Sequence, residues 1–357
     1  MKVLHVINTL ETGGAQKLLS EFLPALRDLG VNADVAVFRE TGSNFEKNLK
    51  WAGVNIVYLG AKSNFSHSIV SRLRKLYGQY DIIHLHLFPT LYHGVLANTG
   101  IGKPILYTEH STFNRRRQKA YLRPLEKAVY GRLSRIIAVS QPTKDQLLKW
   151  LGSDFDSSKI SAVNNGIRFF SANKAENEKS PVNDKYILMV SRFTEAKDHA
   201  TLIKAIPEIK DKNLKIALAG EGPTMDEIVS LAQETGVADR CLFLGDRPDI
   251  DSLIRHSCFG VQSSHWEGLS TTAVEFMSEE KPVIASDVDG LVQVVENAGL
   301  IFPHGNPSSL AACINNLMDD DDLYRATAEK CLARAKEFSI ERMASDYKKI
   351  YDEILRS

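Results

Sequence analysis

The stretch SSHWEGLSTTAVEFMSEEKPVIAS, residues 263–286, places two glutamates around the start of a predicted helix. Glu267 precedes the helix-compatible run, and Glu275 lies inside it. A short apolar strand is predicted next, at Pro282–Ala285. A loop, a helix and a buried strand in this order are typical of α/β proteins with a parallel sheet. In such a fold both carboxylates can face one cleft and accept hydrogen bonds from ligand hydroxyls.

Outward from this stretch, short apolar runs alternate with longer helical patterns in two series. Helices fit between the strands, for example at Ala15–Leu29 and Pro142–Trp150. This alternation predicts a parallel α/β architecture. The predicted strands are Val3–Ile7, Asp34–Phe38, Ile56–Tyr58, Ile82–His86, Ile105–Thr108, Ile136–Val139 and Ile160–Val163 in the first series, and Tyr186–Val190, Lys215–Ala219, Cys241–Leu244, Cys258–Gln262, Pro282–Ala285 and Gly299–Ile301 in the second.

A polar stretch at residues 171–184, SANKAENEKSPVND, separates the two series. It contains no aromatic residue and one proline, which is typical of a linker. We therefore predict two doubly wound domains, 1–170 and 185–339, followed by a helical pattern at 340–357. With 357 residues, the chain is long enough to give each domain its own core.

The charges are distributed unevenly, although the formal net charge is zero. Residues 1–168 hold 23 lysines and arginines against 12 aspartates and glutamates, a balance of +11, so the rest carries −11. This polarity indicates an anionic partner for the N-terminal half, and two soluble domains of unrelated charge are the alternative. The four cysteines lack metal-binding spacing and are interpreted as reduced thiols of a cytosolic protein.

Polar residues and glycines follow several predicted strands, at the edge where open α/β sheets bind ligands. Gly13 and Gly14 precede a predicted helix whose N-terminal N–H groups could approach an anion. They do not form the G-x-G-x-x-G pattern of dinucleotide-binding proteins, and a turn that serves packing alone is the alternative. Arg192 and Lys197 follow a strand of the second series and could converge on one anion. Two exposed basic residues near a helix start are the alternative.

Histidines end two neighbouring strands of the first series. His84 and His86 lie in the strand Ile82–His86, and His110 follows Ile105–Thr108. His110 is therefore expected in the site, whereas His86 fits a functional or a core role equally well and His84 is given no role. We predict no metal site from these histidines, because the sequence indicates no third ligand.

These segments together resemble retaining glycosyltransferases of family 4, over essentially the whole chain. That family has the GT-B fold, in which two Rossmann-like doubly wound α/β domains face each other across a cleft that holds the active site. It also implies that the helix at 340–357 packs back on the N-terminal domain. The patterns that carry the resemblance are E-x7-E at Glu267 and Glu275, R-x4-K at Arg192 and Lys197, and the glycine turns at Gly13–Gly14 and at Gly222.

The resemblance implies a role for each matching residue. Arg192 and Lys197 would hold the donor diphosphate. His110 would support the reacting centre, and Glu267 would contact the donor sugar. The donor-binding residues would be Gly13, Gly14, Gly222, Gly268, Leu269, Ser270 and Glu275, with Glu275 at the ribose. Ser270 stands where the family often has proline, and Glu280 where it usually has glycine, so the donor and the local turn stay open.

The implied reaction moves a hexosyl or N-acetylhexosaminyl group from a nucleotide sugar, with UDP as the expected nucleotide, to a saccharide acceptor. Retention of configuration, a lipid-diphosphate-linked acceptor and a place in cell-surface polysaccharide biosynthesis, such as lipopolysaccharide or capsule, belong to the same expectation. No cofactor and no metal are expected, because Arg192 and Lys197 supply the positive charge. The competing metal-binding pattern D-x-D occurs at Asp154 and Asp156, Asp249 and Asp251, and Asp287 and Asp289.

A basic stretch in the first half could form the surface that meets the acceptor or an anionic membrane. Its residues are Arg115, Arg116, Arg117, Lys119, Arg123 and Lys127. A solvated helix face is the alternative. Because no run of about 18 apolar residues and no signal-peptide pattern is present, we expect a cytoplasmic protein, peripheral on the inner face of the membrane, with no nucleic-acid partner.

Two other functions fit the same architecture. A nucleotide-sugar epimerase would consume the donor without an acceptor, and a non-catalytic partner subunit would bind nucleotide weakly. The intact Arg192 and Lys197 pattern and both glutamates argue against the partner subunit. An oxidoreductase is excluded by the glycine pattern of the first loop.

Overall fold

The structure, a computed structural model, describes residues 1–11, 13–110, 115–169, 179–267 and 269–356. The chain forms two compact units, Met1–Arg168 with Ser339–Ser357, and Phe169–Phe338. Most of the predicted linker, at 171–178, lies outside the described residues. Among the described helices, none is both long enough and apolar enough to cross a membrane.

The first unit is built on a sheet of seven parallel strands. In chain order they are β1 (Lys2–Ile7), β2 (Asn32–Val37), β3 (Ile56–Tyr58), β4 (Ile82–His86), β5 (Ile105–Glu109), β6 (Arg135–Ala138) and β7 (Ile160–Ala162). Their order in the sheet is β3-β2-β1-β4-β5-β6-β7. The central strand β1 pairs Val3 with Ala33 on one side and with Ile82 on the other.

Helices cover both faces of this sheet, because alternate side chains of each strand enter different cores. The helices are α1 (Gly14–Asp28), α2 (Asn44–Trp51), α3 (Ser68–Tyr77), α4 (Thr90–Ala97), α5 (Arg123–Gly131) and α6 (Gln141–Leu151). Val3 packs in one buried cluster with α1, whereas its neighbour Leu4 packs in another with α3 and α4.

The second unit has a sheet of six parallel strands: β8 (Tyr186–Val190), β9 (Lys215–Ala219), β10 (Cys241–Gly245), β11 (Gly260–Gln262), β12 (Val283–Ser286) and β13 (Leu300–Phe302). Their order in the sheet is β10-β9-β8-β11-β12-β13. Its helices are α7 (His199–Ala205), α8 (Met225–Glu234), α9 (Ile250–His256), α10 (Thr271–Ser278), α11 (Asp289–Val295), α12 (Pro307–Asp319) and α13 (Asp321–Ala335). Each predicted strand overlaps an observed one, with ends that differ by at most two residues. The predicted fold class is confirmed.

The last helix, α14 (Ile340–Arg356), belongs to the first unit. It begins where the Ile340 N–H donates to the Ile167 carbonyl oxygen at 2.8 Å. Its apolar face is buried with α1, and the rings of Tyr347 and Phe22 lie 4.8 Å apart. Tyr351, one turn further on, is also fully buried. The helix therefore closes one face of the first sheet and brings two tyrosine hydroxyls beneath it.

Candidate active site

The carboxyl edge of the second sheet carries an ion pair between two predicted site residues. Lys197 lies in the loop between β8 and α7, and Glu267 lies in the loop between β11 and α10. The Lys197 ammonium donates directly to the Glu267 carboxylate, and both side chains are largely buried. Ser264 Oγ donates to the same carboxylate oxygen at 3.2 Å. The structure thus brings together one of the two predicted cations and the first glutamate of the E-x7-E pattern.

Backbone contacts hold these two loops in register. Ser263 Oγ donates to the Asp198 carbonyl oxygen at 2.8 Å. The His265 N–H donates to the Ala196 carbonyl oxygen at 2.9 Å. Because these bonds join the residues on either side of Lys197 to Ser263 and His265, shortly before Glu267, they hold the loops of the ion pair together. Arg192 lies in the same loop as Lys197; its side chain is exposed and has no ion pair within the described part of the chain.

The glycine turn after β9 packs against the Lys197 loop. A Cβ at Gly222 would lie 2.1 Å from the carbonyl oxygen of Phe193, so no other residue fits without moving backbone. The Phe193 N–H in turn donates to the Glu221 carbonyl oxygen at 3.0 Å. Gly222, predicted as a donor-binding residue, therefore has a structural reason for being glycine that is independent of any ligand.

The helix α10 positions the second glutamate. Ser270 is its N-cap, and its Oγ accepts from the Ala273 N–H at 3.3 Å, which explains a hydroxyl residue at this position. Glu275 lies in the second turn of α10 and is 9% exposed. Leu269 is half-buried, and Gly268 lies outside the described residues. The roles predicted for these four residues in donor binding stay predictions.

The turn after α10 explains one departure from the family pattern. Glu280 has a φ of 57°, in the left-handed region that favours glycine. The Glu280 and Lys281 N–H groups donate to the Met277 and Phe276 carbonyl oxygens, as in a Schellman cap. The turn that glycine usually makes is thus formed here by a glutamate, at a cost in backbone strain.

In the first unit, Gly13 and Gly14 lead into α1. Gly13 is the N-cap and has extended backbone with φ 167°, a conformation open to any residue. A Cβ at Gly14 would meet nothing within 4 Å. Open space beside the first residue of α1 is compatible with the predicted approach of a ligand, which stays a prediction.

The predicted histidines belong to a larger buried cluster. His5 Nδ1 lies 3.0 Å from His86 Nε2, and His86 Nδ1 lies 3.2 Å from His110 Nε2. Burial lowers the pKa of His5 to about 3 and that of His110 to about 4. Burial and the neighbouring histidines lower the pKa of His86 well below its ordinary value. The three rings are therefore neutral at pH 7 and form a hydrogen-bonded chain.

His84 takes part through different partners. Its Nδ1 lies 2.7 Å from the Tyr351 hydroxyl and its Nε2 lies 2.7 Å from Thr108 Oγ1. Its ring packs on that of His86 with 4.2 Å between centroids. Burial is the main cause of its lowered pKa, and the neighbouring histidines add to it. His84 is thus a hydrogen-bonded core residue that fixes the position of the His86 ring.

The premise that the sequence offers no third metal ligand was wrong. Within the described residues, His5, His84 and His86 place ring nitrogens within 4.8 Å of one another, close enough to hold a metal ion. However, His5 Nδ1 and His86 Nε2 lie 3.0 Å apart and are hydrogen-bonded to each other. Both nitrogens of His84 already face hydroxyl groups. This geometry fits a hydrogen-bonded network better than a metal centre.

The basic stretch is not the exposed surface that was predicted. Arg117 Nη2 donates to Glu109 at 2.5 Å, and its side chain is 9% exposed. Arg116 Nε donates to the fully buried Glu126 at 2.6 Å. Burial raises the pKa of Glu109, while Arg117 opposes that shift. These two arginines therefore neutralise buried carboxylates, and their charge is not available to a membrane.

The other residues of the stretch differ from this pair. Lys119 and Arg123 are exposed, and Lys127 forms an ion pair with Asp154. The side chain of Arg115 lies outside the described part of the structure. Of the residues of this stretch whose side chains the structure describes, only Lys119 and Arg123 are exposed, and Lys127 is half-buried.

The D-x-D patterns each contain an aspartate paired with a cationic or basic side chain. Asp249 accepts two hydrogen bonds from Arg247, and Asp287 Oδ1 lies 3.1 Å from His304 Nδ1. Asp154 accepts from Lys127. These aspartates thus have protein partners in the described structure.

Each of the two units matches a known protein family. Residues 12–169 match the family described as Glycosyltransferase Family 4, and residues 170–336 match the one described as Glycosyl transferases group 1. A similar sequence is an uncharacterised glycosyltransferase of Methanocaldococcus jannaschii, 27% identical over 264 residues that cover 68% of this chain and 67% of that protein. The N-acetylgalactosamine-N,N'-diacetylbacillosaminyl-diphospho-undecaprenol 4-alpha-N-acetylgalactosaminyltransferase of Campylobacter jejuni is 28% identical over 172 residues, and the match spans about half of each chain, 47%.

Solved structures with the same architecture include glycosyltransferases. Anabaena HepE in complex with UDP has a TM-score of 0.82 at 21% identity, covering 99% of this chain and 100% of that one. A glycosyltransferase from Rickettsia africae has a TM-score of 0.81 at 22% identity, covering 100% of this chain and 99% of that one. The two parallel-sheet units are those of the GT-B fold.

Proposed function

We propose that this chain, which belongs to glycosyltransferase family 4, transfers a hexosyl or N-acetylhexosaminyl group from a UDP-sugar to a saccharide acceptor with retention of configuration. The observation that carries the proposal is the ion pair of Lys197 and Glu267 at the carboxyl edge of the second sheet, with the exposed Arg192 in the same loop. Open α/β sheets bind ligands at this edge. An ammonium, a guanidinium and a carboxylate suit a diphosphate joined to a sugar.

In this proposal, the positively charged side chains of the second unit stabilise the leaving group. When the bond between the anomeric carbon and the phosphate oxygen breaks, the nucleoside diphosphate leaves with the electron pair. Lys197 and Arg192 stabilise the negative charge that develops there. The acceptor hydroxyl bonds to the same face of the anomeric carbon, and its proton passes to the leaving phosphate oxygen. Positive charge from these two side chains makes a metal ion unnecessary in this scheme.

Glu267 has two functions in this proposal. Without a ligand it neutralises Lys197, which is largely buried and would be costly to leave unpaired. When the diphosphate binds, Lys197 turns to the phosphate, and the Glu267 carboxylate accepts hydrogen bonds from the sugar hydroxyls. The donor thus gives Lys197 a new anionic partner and gives Glu267 hydroxyl donors, so neither side chain is left without a hydrogen-bond partner.

For the acceptor we propose a saccharide linked to a lipid diphosphate at the inner face of the cytoplasmic membrane. The name of the Campylobacter jejuni relative refers to a diphospho-undecaprenol acceptor. The +11 balance of residues 1–168 and the exposed Lys119 and Arg123 favour an anionic acceptor or surface. Such a reaction belongs to the assembly of cell-surface polysaccharide.

Calorimetric titration with UDP, GDP and ADP in the presence of EDTA tests the donor proposal. We expect UDP to bind at least tenfold more tightly than GDP or ADP, without added metal. Preference for another nucleotide would overturn the donor, and binding only after Mg²⁺ is added would overturn metal independence. UDP-sugars should then be consumed only when membrane extract supplies an acceptor. Consumption of the donor alone would favour the epimerase.

A further inference from the structure

Three histidines form a continuous chain of hydrogen bonds from the core of the first unit towards its carboxyl edge. His5 comes from the central strand β1, His86 ends β4, and His110 follows β5. The chain runs from His5 Nδ1 to His86 Nε2 over 3.0 Å, and from His86 Nδ1 to His110 Nε2 over 3.2 Å. His5 and His86 are buried, whereas His110 is half-buried. The chain therefore links a core position to a predicted site residue.

Neutral rings allow only two arrangements of protons that satisfy both bonds. A neutral imidazole has one N–H donor and one nitrogen that accepts. Either all three rings carry the proton on Nδ1, or all three carry it on Nε2. Any mixed arrangement places two N–H groups, or two lone pairs, against each other. The protonation of His110 is thus coupled to that of His5, two rings away.

The buried end of the chain decides between the two arrangements. His5 Nε2 has no hydrogen-bond partner within the described part of the structure. His5 lies against the rings of Phe22 and Tyr351 in the cluster that α1 and α14 close. Among backbone groups, a buried N–H without an acceptor is rarer than a carbonyl oxygen left without a donor, and we extend this preference to the imidazole. The arrangement with the proton on Nδ1 of each ring leaves only a lone pair at His5 Nε2.

We propose that His5 and His86 are positioning residues that hold His110 in the tautomer protonated at Nδ1. His110 Nε2 is then occupied as the acceptor of the His86 bond, and Nδ1 offers a hydrogen-bond donor. His110 therefore presents an N–H donor to a substrate oxygen and does not act as a base. This role for His110 rests on the proposed function, but its tautomer does not.

Nuclear magnetic resonance of the full chain, with histidine rings labelled in ¹⁵N and without substrate, tests the tautomer directly. The His110→Gln variant assigns the His110 signals by their loss. We expect the Nδ1 of His110 to show the shift of a protonated nitrogen and Nε2 that of an unprotonated one at pH 7. The opposite pattern would overturn the proposal, whether or not the protein binds UDP.

Two variants at the buried end test the coupling. His5→Phe removes the donor to His86 and should lower the Nδ1-protonated fraction of His110, whereas His5→Asn keeps an amide donor near the position of Nδ1 and should restore it. We expect His5→Phe to lower kcat about tenfold with the KM for the UDP-sugar unchanged, as for loss of a group that orients a site histidine. A folded His5→Phe protein with an unchanged His110 tautomer would refute the coupling. If His5→Phe does not fold, the wild-type spectrum still decides.

Discussion

The carboxyl edges of the two sheets carry opposite kinds of chemistry on the same architecture. In the first unit, the edge ends in neutral imidazoles, because burial lowers the pKa of His86 and His110. In the second unit, the edge keeps charged groups, because Lys197 and Glu267 neutralise each other and Arg192 is exposed. The first edge is thus suited to hydrogen bonds with uncharged hydroxyls, and the second to phosphate.

The difference shows that the two units handle buried polar groups in different ways. The first unit buries histidines by keeping them uncharged and by pairing nearly every ring nitrogen with another ring or a hydroxyl. Its charged groups at the same edge, Glu109 and Arg117, form a buried ion pair of their own. The second unit instead keeps the ion pair of Lys197 and Glu267, and an anionic ligand can replace Glu267 as the partner of Lys197.

Lowering the pH should have the largest effect, because it should destabilise the first unit more than the second. His5, His84, His86 and His110 have folded-state pKa values lowered below the ordinary 6.5, to about 3 for His5 and about 4 for His110. The second unit contributes His199, with a pKa lowered to about 4. Below pH 6.5 the unfolded state binds protons that the folded state does not, so each of these histidines lowers the free energy of unfolding by up to about 1.4 kcal/mol per pH unit.

We therefore expect stability to fall as the pH drops from about 6.5 towards 4, and more steeply for the first unit. Glu109 opposes this trend only in part, since burial raises its pKa. Hydrogen exchange at pH 7 and pH 5, corrected for intrinsic rates, measures each unit separately in the full chain. Equal losses of protection in both units would contradict the comparison.

Loss of Lys197 should have the next largest effect. Lys197→Ala removes the ammonium that stabilises the leaving diphosphate, and turnover should fall about 10²- to 10³-fold. Lys204→Ala, on the exposed face of α7 in the same unit, is the matched control and should keep full turnover. The measurement is the initial rate of UDP release. A rate for Lys197→Ala near that of the control would remove this lysine from the mechanism.

Arg192→Ala should weaken nucleotide binding without affecting folding, because the side chain is exposed. One lost charge-assisted hydrogen bond of about 1.5–3 kcal/mol corresponds to a roughly 10- to 100-fold higher Kd for UDP. Calorimetry at constant ionic strength measures the Kd for UDP, and an unchanged melting curve shows that the variant is folded. If UDP binds Arg192→Ala as well as it binds wild type, Lys197 acts without the arginine.

The smallest effect concerns the turn after α10. Glu280→Gly relieves left-handed strain at a φ of 57° and should raise the stability of the second unit by about 1 kcal/mol. Asn297→Gly is the matched control, because Asn297 has a φ of 64° and asparagine tolerates this region better. Thermal unfolding should show a rise of about 2–4 °C for Glu280→Gly and less for Asn297→Gly. Equal shifts would mean that Glu280 is not strained.

The parts of the structure that local pattern controls were predictable from the sequence. The strands follow short apolar runs, and Lys197, Glu267 and His110 lie after strands as expected. The partners of these residues were not predictable, because they come from distant positions. His5 reaches His86 across 81 residues, and Tyr351 reaches His84 across 267. Only the pairing of β1 with β4 and the return of α14 bring them together.

The basic stretch shows the same limit on a smaller scale. A run of arginines is normally a solvated surface, and nothing nearby in the sequence indicated that Arg116 and Arg117 point inward. The buried carboxylates of Glu109 and Glu126 require cationic partners, and each carboxylate also accepts from a tyrosine hydroxyl, Tyr130 or Tyr92. One signal lay further along the chain: Glu126 shares the buried face of α5 with Tyr130.

Calorimetric titration of UDP into wild type, Lys197→Ala and His110→Gln, all with EDTA, tests the division between the two edges most directly. UDP carries the diphosphate but no transferred sugar. We expect binding to wild type, binding weakened at least tenfold in Lys197→Ala, and unchanged binding in His110→Gln. Equal binding to wild type and Lys197→Ala, or loss of binding in His110→Gln alone, would contradict this division.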